Sequence, residues 1–425
     1  MNNQKYYLET FGCSASIADG EMISGLLNKN SFRPVGEPRK ADVNIVVTCT
    51  VKSATSHKMM HRIKILSSLN IPLVVAGCMP KTERSLIENL NPKASLLGPE
   101  DLIRTVETVE TTIKGERSIH LEGSALPKLL LPRMRRNKII GIVEISSGCL
   151  GDCTFCQVKI AKGELTSYNP VSIKSDVKGA LKDGCKEIWL TSQDNGCYGK
   201  DIGTNLSSLA DSILDLKGDF KIRFGMMNPE HVQKMIDKLI SVMRNEKIFK
   251  FLHMPVQSGS NQVLKAMRRF YSIENFINLA KRFRYEFPLS TLSTDIIVGY
   301  PTEAEVDFQK TIRLIKEVKP DIVNISKYGS RPGTQSERMM QLDPQIMKTR
   351  SKKLHMIVRD IALQNNSQWI GWCGKVLIDE EVRGAIVGRN FAYKPIIIKK
   401  QIPTGSVLDI KVVNATYACL VGEPT

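Results

Sequence analysis

Short β-rich runs alternate with helical stretches over the first 120 residues of the chain. The β-rich runs cover residues 5–10, 43–48 and 72–76. The helical stretches that follow them cover residues 17–28, 53–69 and 81–90. Such alternation is typical of a parallel sheet built from βαβ units. We therefore predict an N-terminal α/β domain over residues 1–122.

A second alternating series occupies the middle of the chain. Its β-rich runs cover residues 139–145, 187–192, 221–225, 249–254, 292–298 and 321–326. Its helical stretches cover residues 172–183, 206–216, 230–242, 261–267 and 304–318. Six repeats are too few to close an eight-stranded barrel. The pattern predicts an open, partial (β/α)6 barrel over residues 139–363, with its site at the C-terminal ends of the strands.

The last part of the chain has strand-like runs without helices between them. These runs cover residues 375–379, 384–388, 395–399 and 407–413. Strands in direct succession favour a small antiparallel β-barrel, here over residues 364–425. The predicted fold class is thus α/β, with a parallel sheet domain, a partial barrel and a small C-terminal β-barrel.

The charge balance points to an anionic partner. Of 425 residues, 60 are Lys or Arg and 43 are Asp or Glu, which leaves a net charge of +17. Such a surplus favours nucleic acid or an anionic membrane face. The N-terminus lacks the pattern of a secretory signal, and no apolar run is long enough to span a membrane. We expect a soluble cytoplasmic protein without a membrane partner.

A basic connector is predicted over residues 123–138, between the first two domains. Its cations are Lys128, Arg133, Arg135, Arg136 and Lys138. A charge run alone says little about ligands. Two interpretations stay open here, a solvated linker and a segment that holds phosphates.

Three cysteines follow the first strand of the second region with the spacing CxxxCxxC. They are Cys149, Cys153 and Cys156. Thiolates are the preferred ligands of iron–sulfur clusters, and a four-iron cluster with three protein ligands keeps one iron open for a small molecule. The alternatives are a zinc site or a closed cluster with Cys185 or Cys197 as the fourth ligand.

A second set of cysteines lies in the N-terminal region. Cys13, Cys49 and Cys78 each stand within a few residues of the end of a predicted strand. The C-terminal ends of parallel strands share one edge of a sheet, so these three thiols are expected to converge. Two alternatives remain, a zinc site that adds His57 and His61, and simple burial of the thiols.

Several segments around these cysteines identify a family. The CxxxCxxC loop has Phe155 before its last cysteine and is followed by LTSQDNGCYG, LHMPVQSGS, STDIIVGYPTEAEVDF and SRPGT. The N-terminal cysteines lie in ETFGCSAS, VTCTV and AGCMP. Together these segments resemble the radical S-adenosylmethionine (SAM) methylthiotransferases. The segment VGRNFAYKPIII is similar to their RNA-binding TRAM domain.

The resemblance implies two 4Fe-4S clusters and SAM as cofactors. It assigns Cys13, Cys49 and Cys78 to an auxiliary cluster and Cys149, Cys153 and Cys156 to the cluster that cleaves SAM. One SAM then methylates sulfur at the auxiliary cluster, and another yields the radical that removes the target hydrogen. The expected SAM contacts are Phe155, Ser192, Gln193, Asp194, Gln257, Ser258 and Asp295. No protein acid or base is assigned, and Cys197 has no implied role.

The resemblance also limits the substrate. Family members modify a hypermodified adenosine at tRNA position 37 or an aspartate of a ribosomal protein, and the net charge favours tRNA. YLETFGCSAS and GRNFAYKPIII resemble the branch that acts on N6-threonylcarbamoyladenosine. Arg331 is expected to hold the carboxylate of that nucleoside. The expected RNA contacts are Lys375, Arg383, Arg389 and Lys394.

The other expected partners are an electron donor protein and a sulfur source. Three further functions stay open: methylthiolation of isopentenyladenosine in tRNA, methylthiolation of a ribosomal protein aspartate, and RNA binding by a zinc protein without catalysis.

Overall fold

The computed structural model describes residues 4–50, 53–123, 128–382 and 384–425. Arg383, one of the expected RNA contacts, lies outside the described residues.

The N-terminal domain is a parallel sheet with helices around it. Its strands are β1 (Lys5–Thr10), β2 (Arg33–Pro34), β3 (Val43–Thr48), β4 (Leu73–Gly77), β5 (Ser95–Leu97) and β6 (Ile119–His120). Its α-helices are α1 (Ser14–Lys29), α2 (Ser53–Ser67), α3 (Met79–Thr82), α4 (Arg84–Leu90) and α5 (Thr105–Ile113). The strand order is β2-β1-β3-β4-β5-β6, with every pair parallel. Strands β3 and β4 are buried throughout, as both-sided coverage of a parallel sheet requires.

The middle domain repeats the strand–helix unit. Its strands are β7 (Ile140–Glu144), β8 (Ser146–Ser147), β9 (Thr166–Ser167), β10 (Glu187–Thr191), β11 (Lys221–Phe224), β12 (Phe251–His253), β13 (Thr291–Val298) and β14 (Ile322–Lys327). Its α-helices are α6 (Val158–Lys162), α7 (Pro170–Lys182), α8 (Leu206–Leu214), α9 (Pro229–Met243), α10 (Asn261–Ala266), α11 (Ile273–Glu286), α12 (Glu305–Val318) and α13 (Pro344–Ser367).

The six long strands of this domain form a continuous parallel wall. Two three-stranded sheets, β7-β10-β11 and β12-β13-β14, are joined by a parallel bridge between Ile222 and Ile248. The partial-barrel prediction is confirmed. Helix α11 was missed by the sequence interpretation, although Ser272 and Asn275 form a capping box at its start.

The N-terminal sheet packs on the side of this wall. Helix α1 lies against β7. The apolar side chains of Ile140 and Ile142 on β7 share one core with those of Val43, Ile45 and Val47 on β3. The cysteine-bearing edges of the two domains are thereby brought side by side.

The connector is not a free basic segment. Lys128 is buried, with its Nζ 2.8 Å from Asp19 Oδ1. Arg133 and Arg135 form ion pairs with carboxylates of α7 and the loop after it, at 3.0 and 3.3 Å. Both open interpretations, a solvated linker and a phosphate clamp, are therefore wrong for these three cations. Arg136 and Lys138 are exposed.

The C-terminal domain is a closed five-stranded barrel. Its strands are β15 (Cys373–Val382), β16 (Ala385–Arg389), β17 (Pro395–Ile398), β18 (Val407–Ala415) and β19 (Leu420–Pro424), in the order β15-β16-β17-β19-β18. The pairs are antiparallel except β17 with β19, which are parallel. The predicted small barrel is confirmed, and its uniformly antiparallel pairing is corrected.

This barrel docks at the N-terminal ends of the middle strands. Lys186, just before β10, donates to the Gly405 carbonyl at 2.7 Å, and the Lys250 amide, just before β12, donates to the Phe391 carbonyl at 2.8 Å. The cysteine loops follow the opposite ends of the strands. Among the described residues, no helix is long and apolar enough to cross a membrane.

Candidate active site

Glycines with left-handed backbone shape the cysteine loops. Gly12, Gly77 and Gly148 precede Cys13, Cys78 and Cys149, with φ values of +115°, +92° and +74°. A Cβ on Gly12 would lie 2.2 Å from Cys49 Cβ, and a Cβ on Gly148 would lie 1.9 Å from the Glu164 carbonyl oxygen. Only glycine combines such φ values with such close approach. These glycines turn the chain directly from the ends of strands into the thiols.

The three thiols of the first set lie close together, as expected from their positions after the ends of neighbouring parallel strands. The Cys13 thiol hydrogen-bonds to Cys49, which raises the pKa of Cys13 above its ordinary value. Cys78 is close enough for its charge to interact with Cys13, and burial raises the pKa of Cys78 to about 12. Cys49 is buried and Cys13 is exposed. Metal binding to such thiols releases their protons.

The second thiol set also forms one cluster. Cys156 interacts electrostatically with Cys153 and Cys149, and burial raises its pKa to about 12. The backbone N–H of Gly151 donates to Cys149 Sγ at 3.2 Å, and that of Val158 donates to Cys156 Sγ at 3.4 Å. Donors aimed at the sulfurs favour the thiolate form that a metal requires.

Two buried cations lie between the sets. Arg331 Nη1 donates to Ser56 Oγ at 2.7 Å and lies 3.4 Å from Glu83 Oε1, and its charge interacts with both Cys49 and Cys156. The Arg331 Nη2 atom is buried and has no hydrogen-bond partner among the described residues. Lys162 lies 3.5 Å from Glu144 and interacts with Cys78. Arg331 therefore lies within electrostatic range of one thiol of each set, and Lys162 lies within range of Cys78.

The donor chemistry fits iron–sulfur clusters. Two groups of three thiols, with cations to offset the negative charge of bound thiolates, match the ligand set that such clusters use. The zinc alternative at the first set is not favoured, because His57 and His61 are both exposed on α2 whereas Cys49 is buried.

The loop after β10 holds three of the expected SAM contacts. Ser192 donates its hydroxyl to Asn195 Oδ1 at 2.7 Å. Asp194 is buried, and its Oδ1 accepts from the backbone N–H groups of Gly196 and Asn228 at 2.9 and 3.1 Å. This carboxylate organises the loop, and a direct contact with SAM through it is not favoured. Gln193 Oε1, in contrast, is buried without a partner in the described ranges.

Phe155, Gln257 and Ser258, three of the four remaining expected SAM contacts, occupy different settings. Phe155 packs against the aromatic cluster that contains Tyr300 and Tyr328. Gln257 has a φ of +67°, and its backbone pairs with β13. Ser258 is fully buried and accepts from the Ser260 N–H at 3.3 Å.

Asp295 belongs to a polar group on adjacent strands that the sequence did not indicate. Its Oδ2 lies 2.9 Å from His253 Nε2, and its Oδ1 accepts from Asn324 Nδ2 at 2.7 Å. These three residues come from β12, β13 and β14 and are partly exposed. They supply donors and acceptors for a polar ligand on this wall.

The expected RNA contacts divide into exposed and buried groups. Lys375 is exposed on β15. Arg389 is bound to Asp379 and Glu380 at 2.9 and 3.0 Å. Lys394 is 3% exposed and lies 2.8 Å from Asp321, which ties the small barrel to the start of β14. Both Arg389 and Lys394 have carboxylate partners in the structure, and RNA contact at these two residues stays a prediction.

Arg269 and His231, which the sequence interpretation did not single out, lie near the second thiol set together with Cys197. Arg269 Nη1 lies 3.5 Å from Cys153 Sγ. The Cys197 thiol hydrogen-bonds to Cys149, which lowers the pKa of Cys149. Cys197, Asp194 and His231 have potential ligand atoms within 4.8 Å of one another. A metal there would meet the Lys200 ammonium, which lies 2.8 Å from His231 Nδ1.

Comparisons with known proteins bear on the whole chain. Residues 5–98 match the uncharacterized protein family UPF0004, and residues 143–315 match the Radical SAM superfamily. The chain is 41% identical to the "Probable threonylcarbamoyladenosine tRNA methylthiotransferase" of Pyrococcus horikoshii, over 99% of both chains. It is 32% identical to the human threonylcarbamoyladenosine tRNA methylthiotransferase, over 99% of this chain and 74% of the human one.

Solved structures support the fold. The radical SAM methyltransferase TsrM from Kitasatospora setae, with cobalamin and a [4Fe-4S] cluster bound, aligns with a TM-score of 0.59 at 11% identity, over 79% of this chain and 77% of TsrM. The resemblance found from the sequence motifs is confirmed. The chain belongs to the threonylcarbamoyladenosine tRNA methylthiotransferases, a family with a radical SAM domain.

Proposed function

We propose that this protein converts N6-threonylcarbamoyladenosine at position 37 of tRNA to its 2-methylthio derivative, with two 4Fe-4S clusters and SAM. Relatives that span nearly the whole chain carry this activity in their names. The observation that carries the two-cluster part is the presence of two separate groups of three thiols on adjacent domains, joined by the contact of Ser14, next to Cys13, with Thr191 at the end of β10. The buried Arg331 lies within electrostatic range of one cysteine of each group.

Each thiol set would hold one cluster. Cys149, Cys153 and Cys156 would ligate the cluster that supplies the electron for SAM cleavage, and Cys13, Cys49 and Cys78 would ligate the auxiliary one. Ser14 Oγ lies 2.6 Å from Thr191 Oγ1 at the end of β10, which fixes the Cys13 loop against the middle domain. Short distances between the reacting groups shorten the life of a radical in the site and limit side reactions.

Arg331 would bind the threonylcarbamoyl carboxylate. Its guanidinium is buried, and its Nη2 has donors unused by the described residues. A carboxylate on this atom would gain a charge-assisted hydrogen bond and would offset the cost of burying the cation.

The RNA would reach the site around Arg331 along helix α13. The small barrel docks at the opposite ends of the strands, so RNA that touches both must cross the side of the middle domain. Helix α13 makes this crossing: Met347 packs near Gly299 at the end of β13, and Asn366 donates to Thr416 of the small barrel. Lys348 and Lys352 are exposed on the helix, one turn apart, and their charges suit phosphates.

Mass spectrometry of tRNA nucleosides tests the function. Cells with and without the gene are compared, and then cells that carry Cys149→Ala. We expect 2-methylthio-N6-threonylcarbamoyladenosine to disappear without the gene and in the variant, with the unmethylthiolated nucleoside accumulating. Persistence of the modified nucleoside would refute the proposal, and loss of a methylthio group from isopentenyladenosine instead would identify the other tRNA substrate.

A further inference from the structure

Arg269 is a buried cation without a carboxylate in its hydrogen bonds. Among the described residues its guanidinium donates to Cys153 Sγ at 3.5 Å, to the Tyr271 hydroxyl at 3.2 Å and to the Pro255 carbonyl at 3.1 Å. The residue is 7% exposed. The buried carboxylate of Asp194, also among the described residues, interacts with the charge of Arg269 but accepts no hydrogen bond from it. A buried cation whose hydrogen-bond partners are neutral is costly, so further negative charge is expected beside it.

The three thiols of the second set supply that charge when they bind metal. Besides its contact with Cys153, the charge of Arg269 also interacts with Cys149 and Cys156. Ligand thiolates beside the guanidinium would supply negative charge that offsets its own. Its exposed neighbour Arg268 differs, because it forms an ion pair with Asp152.

Cys197 provides a second hydrogen-bond donor near the same thiol set, beside Cys149. Its side chain is fully buried, its S–H donates to the Asp194 carbonyl oxygen at 3.1 Å, and its sulfur is also within hydrogen-bonding reach of the Cys149 sulfur. A metal-bound thiolate at Cys149 can only accept a hydrogen bond, and its negative charge makes it a stronger acceptor than a carbonyl oxygen, so the single S–H of Cys197 turns from the Asp194 carbonyl to Cys149.

We propose that Arg269 and Cys197 are positioning residues that donate hydrogen bonds to the ligand sulfurs of Cys153 and Cys149 and thereby raise the reduction potential of the cluster bound there. The inference rests on the proposed function, since it assumes a cluster at the second thiol set. Reduction adds one negative charge to the cluster, and a cation or hydrogen-bond donor at its sulfurs stabilises that charge. Loss of either donor therefore makes the potential more negative.

The test is a redox titration followed by electron paramagnetic resonance on the full-length chain. The parent protein for the comparison has alanine in place of Cys13, Cys49 and Cys78, so that one cluster remains. In this background Arg269→Gln removes the cation, and Arg269→Lys keeps it. Cys197→Ala removes the S–H donor, and Cys197→Ser replaces it with an O–H donor. Arg268→Gln is the control for a neighbouring cation.

We expect Arg269→Gln and Cys197→Ala to shift the midpoint to more negative potentials, with Arg269→Lys, Cys197→Ser and Arg268→Gln near the parent value. Iron should remain at about four per chain in each. If Arg269→Gln fails to hold iron, the midpoint potentials of Cys197→Ala and Cys197→Ser test the inference instead. Equal midpoint potentials in Cys197→Ala and Cys197→Ser, or in Arg269→Gln and the parent, overturn the inference. A parent without a cluster refutes the proposed function instead.

Discussion

Replacing Gly12 by alanine should remove the auxiliary cluster and leave the other one. The new Cβ would lie 2.2 Å from Cys49 Cβ and 2.9 Å from Cys49 Sγ, well inside contact distance. The φ of +115° adds backbone strain, which costs about 1–3 kcal/mol at such positions. Cys49 must move for the alanine to fit, and a displaced thiol no longer meets Cys13 and Cys78.

Gly218 is a matched control for the backbone strain. Its φ is +119°, and a Cβ there would have no atom within 4 Å. Gly218→Ala should therefore have a similar backbone cost without disturbing a thiol. The contrast between the two variants isolates the contact with Cys49.

Iron analysis after anaerobic purification measures the outcome. Two 4Fe-4S clusters correspond to about eight irons per chain. We expect about eight in the native protein and in Gly218→Ala, and about four in Gly12→Ala, with cleavage of SAM to 5′-deoxyadenosine retained. An unchanged iron content in Gly12→Ala would refute the placement of Gly12 and Cys49 in a cluster site.

Three further predictions test other parts of the account. Arg331→Gln should lower turnover of threonylcarbamoyl tRNA with iron content unchanged, whereas Arg331→Lys should keep part of that turnover. If both variants turned over this tRNA as fast as the native protein, Arg331 would not bind the carboxylate. Replacing Lys348 and Lys352 by alanine should weaken tRNA binding. The slope of log affinity against log salt concentration should become shallower by about 0.7–0.9 for each phosphate that the variant no longer binds. An unchanged slope would exclude α13 as an RNA surface. Burial raises the pKa of Glu187 to about 7 and that of Asp379 to about 6. The folded state therefore holds the protons of both carboxyl groups more tightly than the unfolded state does. As a result, the two groups lower the free energy of unfolding as pH rises from about 4 to 7. Glu187→Gln should therefore be more stable relative to the native protein at pH 8 than at pH 5 in urea unfolding; a difference independent of pH would contradict the shift.

Local sequence patterns predicted the strands well. The bounds of β1 and β3 agree with the predicted runs at residues 5–10 and 43–48, because both are uninterrupted β-rich segments. The convergence of Cys13, Cys49 and Cys78 followed from the shared edge of a parallel sheet. Helix α11 could have been predicted, since its apolar residues recur at helical spacing behind a capping box.

Contacts between distant segments could not be predicted in this way. Arg269 is separated by 116 residues from Cys153, and nothing in the local sequence distinguishes it from the exposed Arg268. Lys128 looked like a free cation because its partner Asp19 comes from α1. Charge runs show which cations a segment carries, and only the fold shows which of them already have carboxylate partners.

The most direct test of two separate clusters is the iron and sulfide content of the two triple-cysteine variants. Each set, Cys13/Cys49/Cys78 and Cys149/Cys153/Cys156, is replaced by alanine in turn, and both proteins are reconstituted without oxygen. We expect about four irons in each variant against about eight in the native protein. A native protein with only four, or a variant that keeps all eight, would contradict the account.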